Sequence, residues 1–200
     1  MGFLTDPPAT HVWHENRYYT VNPSYDIVLD LQKVYRDSRL NDVDKINTAL
    51  RILIVRPKRI HMSTNQKMNL LQAIYDQCIK IPERHSPKNQ QKVFDFEFDG
   101  EYIYSSFLLD YGIDLIDMRG ILPWKKFIAL FQGLSERTKI REVMRIRGME
   151  IPKYNGKNAK QIQEIQELKS YYALPVKGGG GQKGLDALFF ALESQAVKNG

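Results

Sequence analysis

The sequence is poor in the features that stabilise secreted or membrane proteins. It has one cysteine, Cys78, so no internal disulfide can form. It has no apolar run near the roughly 20 residues that span a bilayer. Asp6, Pro7 and Pro8 stand where a signal peptide needs an apolar core. We therefore expect the protein to remain in a reducing cytoplasm, with Cys78 buried on a helix as a small apolar residue.

Recognisable catalytic and cofactor motifs are also missing. There is no HExxH, no CxxC pair and no glycine-rich cofactor fingerprint. The glycine run at 178–181 is followed by Gln182 and then by Lys183-Gly184, whereas a phosphate loop ends in Lys-Ser or Lys-Thr. His11 and His14 would point to opposite faces of a strand, which does not suit a shared metal ion. The sequence predicts no enzyme activity, no cofactor and no metal site.

Three acidic residues lie close together in the chain, at Asp110, Asp114 and Asp117. Paired carboxylates can serve in catalysis, but these flank a predicted helix end and a short apolar stretch. They are better explained as helix caps or as ion-pair partners of Arg119 and nearby lysines.

The composition is that of a globular protein with a sizeable core. Hydrophobic residues make up 42% of the 200 residues and aromatic residues 11%, which supports one domain or two small ones. The net charge is +6, but the longest basic cluster, Arg56-Pro57-Lys58-Arg59, is short. A dispersed surplus of this size indicates a solvated surface more than a nucleic-acid site.

The N-terminal half reads as a β-hairpin followed by three helices. Residues 11–21 have β-forming residues on both sides of Glu15-Asn16, which predicts a turn there. The three helices are predicted from Pro23 to about Asp37 with Asn22 as N-cap, from Asn41 to before Pro57, and from Ser63, with a capping box to Gln66, to Pro82. Their predicted inward faces comprise Ile27, Leu31, Val34 and Tyr35, then Val43, Ile46, Leu50, Leu53 and Ile54, then Leu71, Ile74 and Cys78.

Three aromatic-rich helices are predicted in tandem between Phe94 and Pro152. The first spans about 99–111 and ends at Gly112, the second spans about 122–133, and the third spans about 136–147 with Ser135 as its cap. Their apolar faces are Tyr104, Phe107, Leu108 and Tyr111, then Trp124, Phe127, Ile128 and Phe131, then Ile140, Val143 and Met144. Short links between such helices indicate a small packed bundle.

The C-terminal part combines a helix, a glycine-rich segment and a short apolar helix. The first helix is predicted over about 158–172, with Ile162, Ile165, Leu168 and Tyr172 on one side. Residues 176–184 read as a flexible Gly-rich tether. Residues 185–198 form the predicted C-terminal amphipathic helix, which docks either on the main body or in a partner's groove.

Taken as a whole, the sequence predicts a mainly α fold. We expect a compact bundle of about seven helices with a short N-terminal β-hairpin, forming one helical domain over 1–175 with a polar hinge near 83–92.

A set of spacings across this domain resembles the gene-product-fifteen proteins of tailed bacteriophages and their prophages. The similarity covers roughly residues 1–175. The residues that carry it are Phe94-Asp95-Phe96, Ile103-Tyr104, Ser106-Phe107, Tyr111-Gly112-Ile113-Asp114-Leu115, Trp124-Lys125-Lys126-Phe127, Leu130, Gly133-Leu134 and Ile146-Arg147.

The resemblance implies a non-enzymatic role in building long, non-contractile phage tails. Members look like tail assembly chaperones, which bind the helical tape measure protein and help tail tube subunits polymerise around it. It implies a protein in the cytoplasm of the bacterial host that is absent from the mature virion. We also expect a homo-oligomer as one form of the protein.

Helix faces rich in aromatic and aliphatic side chains are the expected partner-binding elements. The candidate partner-binding residues are Tyr104, Phe107, Tyr111, Trp124, Phe127, Phe131, Leu185, Leu188, Phe189 and Leu192. Core packing is the alternative role of Trp124 and Phe127.

Two other functions stay open at this point. One is a nucleic-acid-binding accessory protein that uses Arg137, Arg141, Arg145 and Arg147 with Lys153 and Lys157 as a phosphate-facing patch. The other is a structural tail or head-completion component that remains in the particle. Interspersed glutamates at 136, 142 and 150 count against the phosphate patch.

Overall fold

A computed structural model describes residues 3–56, 62–81 and 92–175. Within these ranges the fold is mainly α with a short two-stranded β-hairpin, as predicted. The elements are β1 (His11–His14), β2 (Arg17–Thr20), α1 (Tyr25–Arg36), α2 (Asp42–Leu53), α3 (Thr64–Ile74), α4 (Gly100–Tyr111), α5 (Trp124–Gln132), α6 (Lys139–Gly148) and α7 (Ala159–Tyr171).

The described residues belong to two compact units. The first, here called the hairpin unit, contains residues 3–56, 62–81 and 116–130. The second, here called the α4–α6 unit, contains residues 92–115 and 131–175. The predicted hinge at 83–92, apart from Lys92, the tether at 176–184 and the helix at 185–198 lie outside the described residues. The organisation of 1–175 as one hinged domain therefore stays a prediction.

The predicted hairpin and its turn are confirmed. β1 and β2 pair antiparallel with His11 opposite Thr20 and Trp13 opposite Tyr18. Both turn residues have positive φ, 45° at Glu15 and 58° at Asn16, as the right-handed twist of a two-residue hairpin requires. Val12 and Tyr19, on the inner face of the hairpin, are buried.

Helix α1 begins two residues later than predicted, because a long-range backbone pairing takes the residues before it. Tyr25 donates its N–H to the Leu122 carbonyl at 2.9 Å, and the Pro23 carbonyl accepts from Trp124 N–H at 2.8 Å. The Asn22 side chain accepts the Ser24 N–H at 3.1 Å, which makes a local turn instead of a helix cap. Ser24 is the N-cap by position.

The inward face of α1 is also rotated from the predicted one. Val28 and Leu31 are buried, whereas Ile27, Val34 and Tyr35 are half-buried. Of the four predicted residues, Leu31 is the one that is fully buried.

Helices α2 and α3 follow the sequence signals closely. The Asn41 side chain caps α2 by accepting the Asp44 N–H at 2.9 Å. In α3, Ser63 and Gln66 form both hydrogen bonds of the predicted capping box, at 3.3 and 2.9 Å. The third helix ends in a π-helical turn, Tyr75–Ile79, before the expected stop at Pro82. In α2, Ile46, Leu50 and Leu53 are buried as predicted, but Val43 is exposed.

Helix α4 ends as predicted at Gly112, whose φ of 64° lies in the left-handed region that glycine adopts at low cost. Its buried residues are Ile103, Ser106 and Phe107. Of the predicted face, only Phe107 is buried, Tyr104 and Tyr111 are half-buried, and Leu108 is exposed.

Helix α6 begins at Lys139, three residues after the predicted start. Ser135 does not cap it, because its N–H and hydroxyl both donate to the Asp110 carboxylate, at 2.6 and 2.9 Å. The Thr138 hydroxyl instead donates to the Ser135 carbonyl at 2.7 Å, closing the turn that precedes the helix. Ile140, Val143 and Ile146 form the buried line of α6.

Helix α7 lies on the surface of the α4–α6 unit and none of its residues is fully buried. Polar contacts attach its C-terminal end. Lys169 Nζ donates to the carbonyls of Arg147 and Met149, at 2.7 and 2.6 Å. Lys139 Nζ donates to the Tyr172 hydroxyl at 2.8 Å, and bonds to that hydroxyl and to Glu142 raise the pKa of Lys139.

Candidate functional site

The three predicted partner residues on α4 make contacts within their own unit. Phe107 is fully buried, and Tyr111 packs edge-on against its ring with centroids 5.8 Å apart. The Tyr104 hydroxyl donates to Asp114 Oδ2 at 2.9 Å. These three side chains therefore stabilise the unit in the conformation described.

The aromatic residues of α5 form a stacked core in the hairpin unit. Phe127 stacks on Tyr25 with centroids 4.9 Å apart and on Trp124 with centroids 5.7 Å apart. Trp124 and Phe127 are almost completely inaccessible to solvent. Their alternative role as core residues is confirmed.

Phe131, at the end of α5, belongs to a second aromatic cluster in the α4–α6 unit. Its ring centroid lies 4.9 Å from that of Phe94 and 5.3 Å from that of Phe96. The remaining candidates, Leu185, Leu188, Phe189 and Leu192, lie outside the described residues. Nothing in the structure tests whether any of the ten candidates contacts a partner, so that role stays a prediction.

The apolar side chains that α4 does present to solvent are Leu108 and Leu109. Leu109 was not predicted to be exposed and Leu108 was predicted on the inward face, because nearly every side of the sequence GEYIYSSFLLDY is apolar or aromatic. The deciding contact is tertiary. Ser106 Oγ accepts the Ile140 N–H at 3.2 Å, so the side of α4 that carries this small residue turns toward α6. Leu108 and Leu109 lie on a different side of α4, which faces solvent.

A second exposed stripe runs along α7. Glu164, Glu167, Leu168 and Tyr171 follow helical spacing and line a shallow, open depression of about 550 Å³. The half-buried Ile162 and Ile165 lie on the other side of the same helix. The stripe therefore combines two carboxylates with two apolar side chains facing solvent.

The arginines proposed as a phosphate-facing patch do not share one free surface. Arg137 and Arg145 are exposed. Arg141 donates to the carbonyls of Leu134 and Gln132, at 3.0 and 2.8 Å, and so caps the end of α5. Arg147 is buried, a position that sequence reasoning did not distinguish from the others.

The Arg147 guanidinium makes four hydrogen bonds within the α4–α6 unit. It forms a two-bond ion pair with the Asp99 carboxylate, at 2.6 and 2.8 Å. It also donates to the carbonyls of Val93 and Tyr172, at 3.0 and 2.6 Å. The planar donor fork of arginine matches such a set of oxygens.

Asp110 and Asp114 act as hydrogen-bond acceptors within the α4–α6 unit. Asp110 binds Ser135, as described above, and Asp114 accepts from Tyr104. Asp110 holds the segment before α6 and does not cap a helix end, because Ser135 lies outside both α5 and α6. In the ranges that the structure describes, no group of three His, Cys, Asp or Glu residues is arranged to hold a metal ion.

Cys78 is buried in the hairpin unit, as predicted. Burial raises the pKa of its thiol to about 11, although the nearby Lys125 charge acts in the opposite direction. A neutral, enclosed thiol is a poor nucleophile.

Comparison with known proteins identifies the family. A family model described as bacteriophage Gp15 protein matches residues 6–174, most of the chain. The chain belongs to the bacteriophage Gp15 family. No curated protein and no solved structure matches this Gp15 family member. Among its described residues, no helix is both long and apolar enough to cross a membrane.

Proposed function

We propose that this Gp15 family member is a tail assembly chaperone of phages with long, non-contractile tails. It binds the helical tape measure protein and promotes polymerisation of tail tube subunits around it, without enzymatic chemistry. The proposal includes a location in the cytoplasm of the bacterial host and absence from the mature virion. Membership of the Gp15 family supports a phage role, and the exposed apolar groups on α4 and α7 support binding of another protein.

The observation that carries the proposal is the placement of leucine and tyrosine side chains on solvent-facing helix surfaces. Leu108 and Leu109 on α4 and Leu168 and Tyr171 on α7 are all exposed in the α4–α6 unit. Apolar groups at helical spacing are what an amphipathic partner helix contacts when it packs on another helix. A tape measure protein offers many such helices.

Charge on α7 indicates which partner helices fit best. Glu164 and Glu167 flank Leu168 and Tyr171 in the depression, although the chain as a whole is basic. Lysine or arginine beside the apolar positions of a partner helix would complement these carboxylates and speed association.

The two buried carboxylates of the α4–α6 unit, those of Asp95 and Asp99, stabilise the unit itself. Asp99 is held by Arg147. Burial alone would raise the pKa of Asp95, but Lys92 and the N–H groups of Glu97 and Phe98 outweigh it and lower that pKa. Both carboxylates are held by hydrogen bonds and ion pairs within the unit.

The first test is co-expression with the tape measure protein encoded by the same phage, followed by pull-down and measurement of tape measure solubility. We expect a stable complex and more soluble tape measure protein. Failure of the wild-type protein to bind, together with its presence in purified particles, would make it a structural component instead.

A surface variant locates the contact. Leu108→Glu on α4 and Val43→Glu on α2 change side chains with the same exposed fraction, 46%. We expect Leu108→Glu to weaken the pull-down at least about tenfold, as for an interface hot spot, and Val43→Glu to leave it unchanged. Equal behaviour of the two variants would exclude α4 as the contact surface.

A further inference from the structure

The backbone hydrogen bonds of the hairpin alternate in a way that leaves one edge open. Val21 donates its N–H to the Thr10 carbonyl at 2.8 Å. In the observed register, Val12–Tyr19 and His14–Arg17 continue these hydrogen-bonded pairs. Trp13–Tyr18 and His11–Thr20 are the intervening pairs, whose N–H and C=O groups point away from the partner strand.

The two edges of the hairpin differ in how these outward groups are used. On β2, the Thr20 carbonyl accepts the Val55 N–H at 2.9 Å, and Val21 pairs with Ile54. On β1, no backbone hydrogen bond from any other described segment reaches the outward groups of His11 or Trp13. The edge of β1 is therefore the free edge within the described part of the chain.

This edge has no lysine, carboxylate or proline to prevent strand pairing, since its sequence is His-Val-Trp-His. Next to it, Trp13 is 52% exposed and Tyr18 is 71% exposed. Their rings lie 4.4 Å apart, because side chains approach closely in a pair without hydrogen bonds. An exposed aromatic pair beside an unprotected strand edge is a pairing surface.

We propose that β1 pairs antiparallel with β1 of a second copy of this chain, about a two-fold axis at Val12. This register places His11 opposite Trp13 of the second copy and Trp13 opposite His11 of the second copy. All four residues have outward backbone groups, so both pairs exchange their hydrogen bonds. If the register between the copies shifted by one residue, the outward backbone groups of one copy would face residues whose N–H and C=O groups already bond within the hairpin. The side chains that lie opposite each other would then point to different faces.

The same register accounts for the exposed aromatic residues. His11, Trp13, Tyr18 and Thr20 share the outer face of the hairpin. Pairing brings His11 of the second copy beside the Trp13 ring, on the side away from Tyr18. The Trp13 ring is then covered from both sides. The interface is isologous, as two-fold symmetry requires, and it does not depend on the chaperone role.

The test uses the full chain in sedimentation equilibrium over a range of concentrations. His11→Pro removes an outward N–H that the hairpin itself does not use, so the fold is retained. His11→Ala removes the side chain and keeps the N–H. We expect the proline variant to raise the dimer dissociation constant at least about tenfold and the alanine variant less than about threefold. Equal weakening by both variants would overturn the strand pairing.

Amide hydrogen exchange identifies the edge directly and does not need a variant. In the wild-type protein, the His11 and Trp13 amides should exchange more slowly as the concentration rises. A monomer at all concentrations, or a dimer in which these two amides exchange freely, would overturn the proposal. If the His11 and Trp13 amides exchange slowly only when tape measure protein is added, the edge of β1 binds that protein. This result would also overturn pairing between copies.

Discussion

Arg147 shows how a single residue takes a role that its neighbours in the sequence do not reveal. It is one of several basic residues in α6, yet it is the one that donates to the Asp99 carboxylate and to the carbonyls of Val93 and Tyr172. Its side chain and that of Asp99 are both buried. If either Arg147 or Asp99 were replaced by a neutral residue, the other would be an unpaired charge in the interior of the unit.

We predict that Arg147→Met lowers the free energy of unfolding by about 3–5 kcal/mol, because it leaves the buried Asp99 carboxylate without its cation. The control is Arg145→Met, two positions away and exposed, which should change stability by less than about 0.5 kcal/mol. Urea denaturation followed by circular dichroism measures both. Similar losses in the two variants would contradict a special role for Arg147.

Cys78 gives a second prediction, on reactivity. Because burial raises the pKa of the thiol to about 11, the native protein should react with iodoacetamide at pH 8 far more slowly than the urea-unfolded protein. Mass spectrometry measures the labelling.

The same shift sets a pH dependence. The folded state holds this proton more tightly, so the associated stability is complete below pH 9 and is lost as pH rises from about 9 to about 11. A Cys78→Ala variant should lack this component of the alkaline loss. Rapid labelling of the native protein at pH 8 would contradict burial of the thiol.

At the scale of the elements, helix ends were predicted well where the cap is local and poorly where it is not. The Ser63–Gln66 pair and Gly112 act through residues a few positions away, and both were predicted. Asn41, predicted as the first residue of its helix, is the N-cap one position before it. The starts of α1 and α6 were wrong, because Leu122 and Asp110, distant in sequence, bind the backbone there. A single sequence does not reveal such pairings.

The buried aromatic residues of helix α5 lead to a prediction about stability, because Trp124 and Phe127 are almost completely inaccessible to solvent. Replacing Trp124 or Phe127 with alanine should lower the free energy of unfolding by about 3–5 kcal/mol, by removing a buried ring and leaving a cavity. The exposed Lys126 on the same helix is the matched site, and Lys126→Ala should change stability by less than about 0.5 kcal/mol. Denaturant titration of the three variants makes the comparison. Unchanged stability of Trp124→Ala would contradict its core position.

At the scale of the whole molecule, the net charge of +6 is a weak basis for nucleic-acid binding. Arg147 is neutralised by Asp99, and Arg141 donates to carbonyl oxygens. Both are therefore occupied within the protein, and only the other basic side chains of the proposed patch are left for phosphates.

We predict weak binding to duplex DNA with a shallow dependence on salt, because few counterions would be released. Fluorescence anisotropy at about 50 and 200 mM salt measures the slope, and an Arg137→Ala, Arg145→Ala double variant is the control. A steep slope that this variant reduces would favour the nucleic-acid alternative over the chaperone.

The sequence by itself determined the fold class, the hairpin turn, several helix caps and the family. These follow from hydrophobic periodicity, turn chemistry and capping, which act over a few residues, and from spacings that the family shares. Tertiary structure alone decided which side of α4 is buried, which arginine is paired and which strand edge is free. Each of these depends on groups brought together from distant parts of the chain: Ser106 with Ile140, Arg147 with Asp99, and Thr20 with Val55.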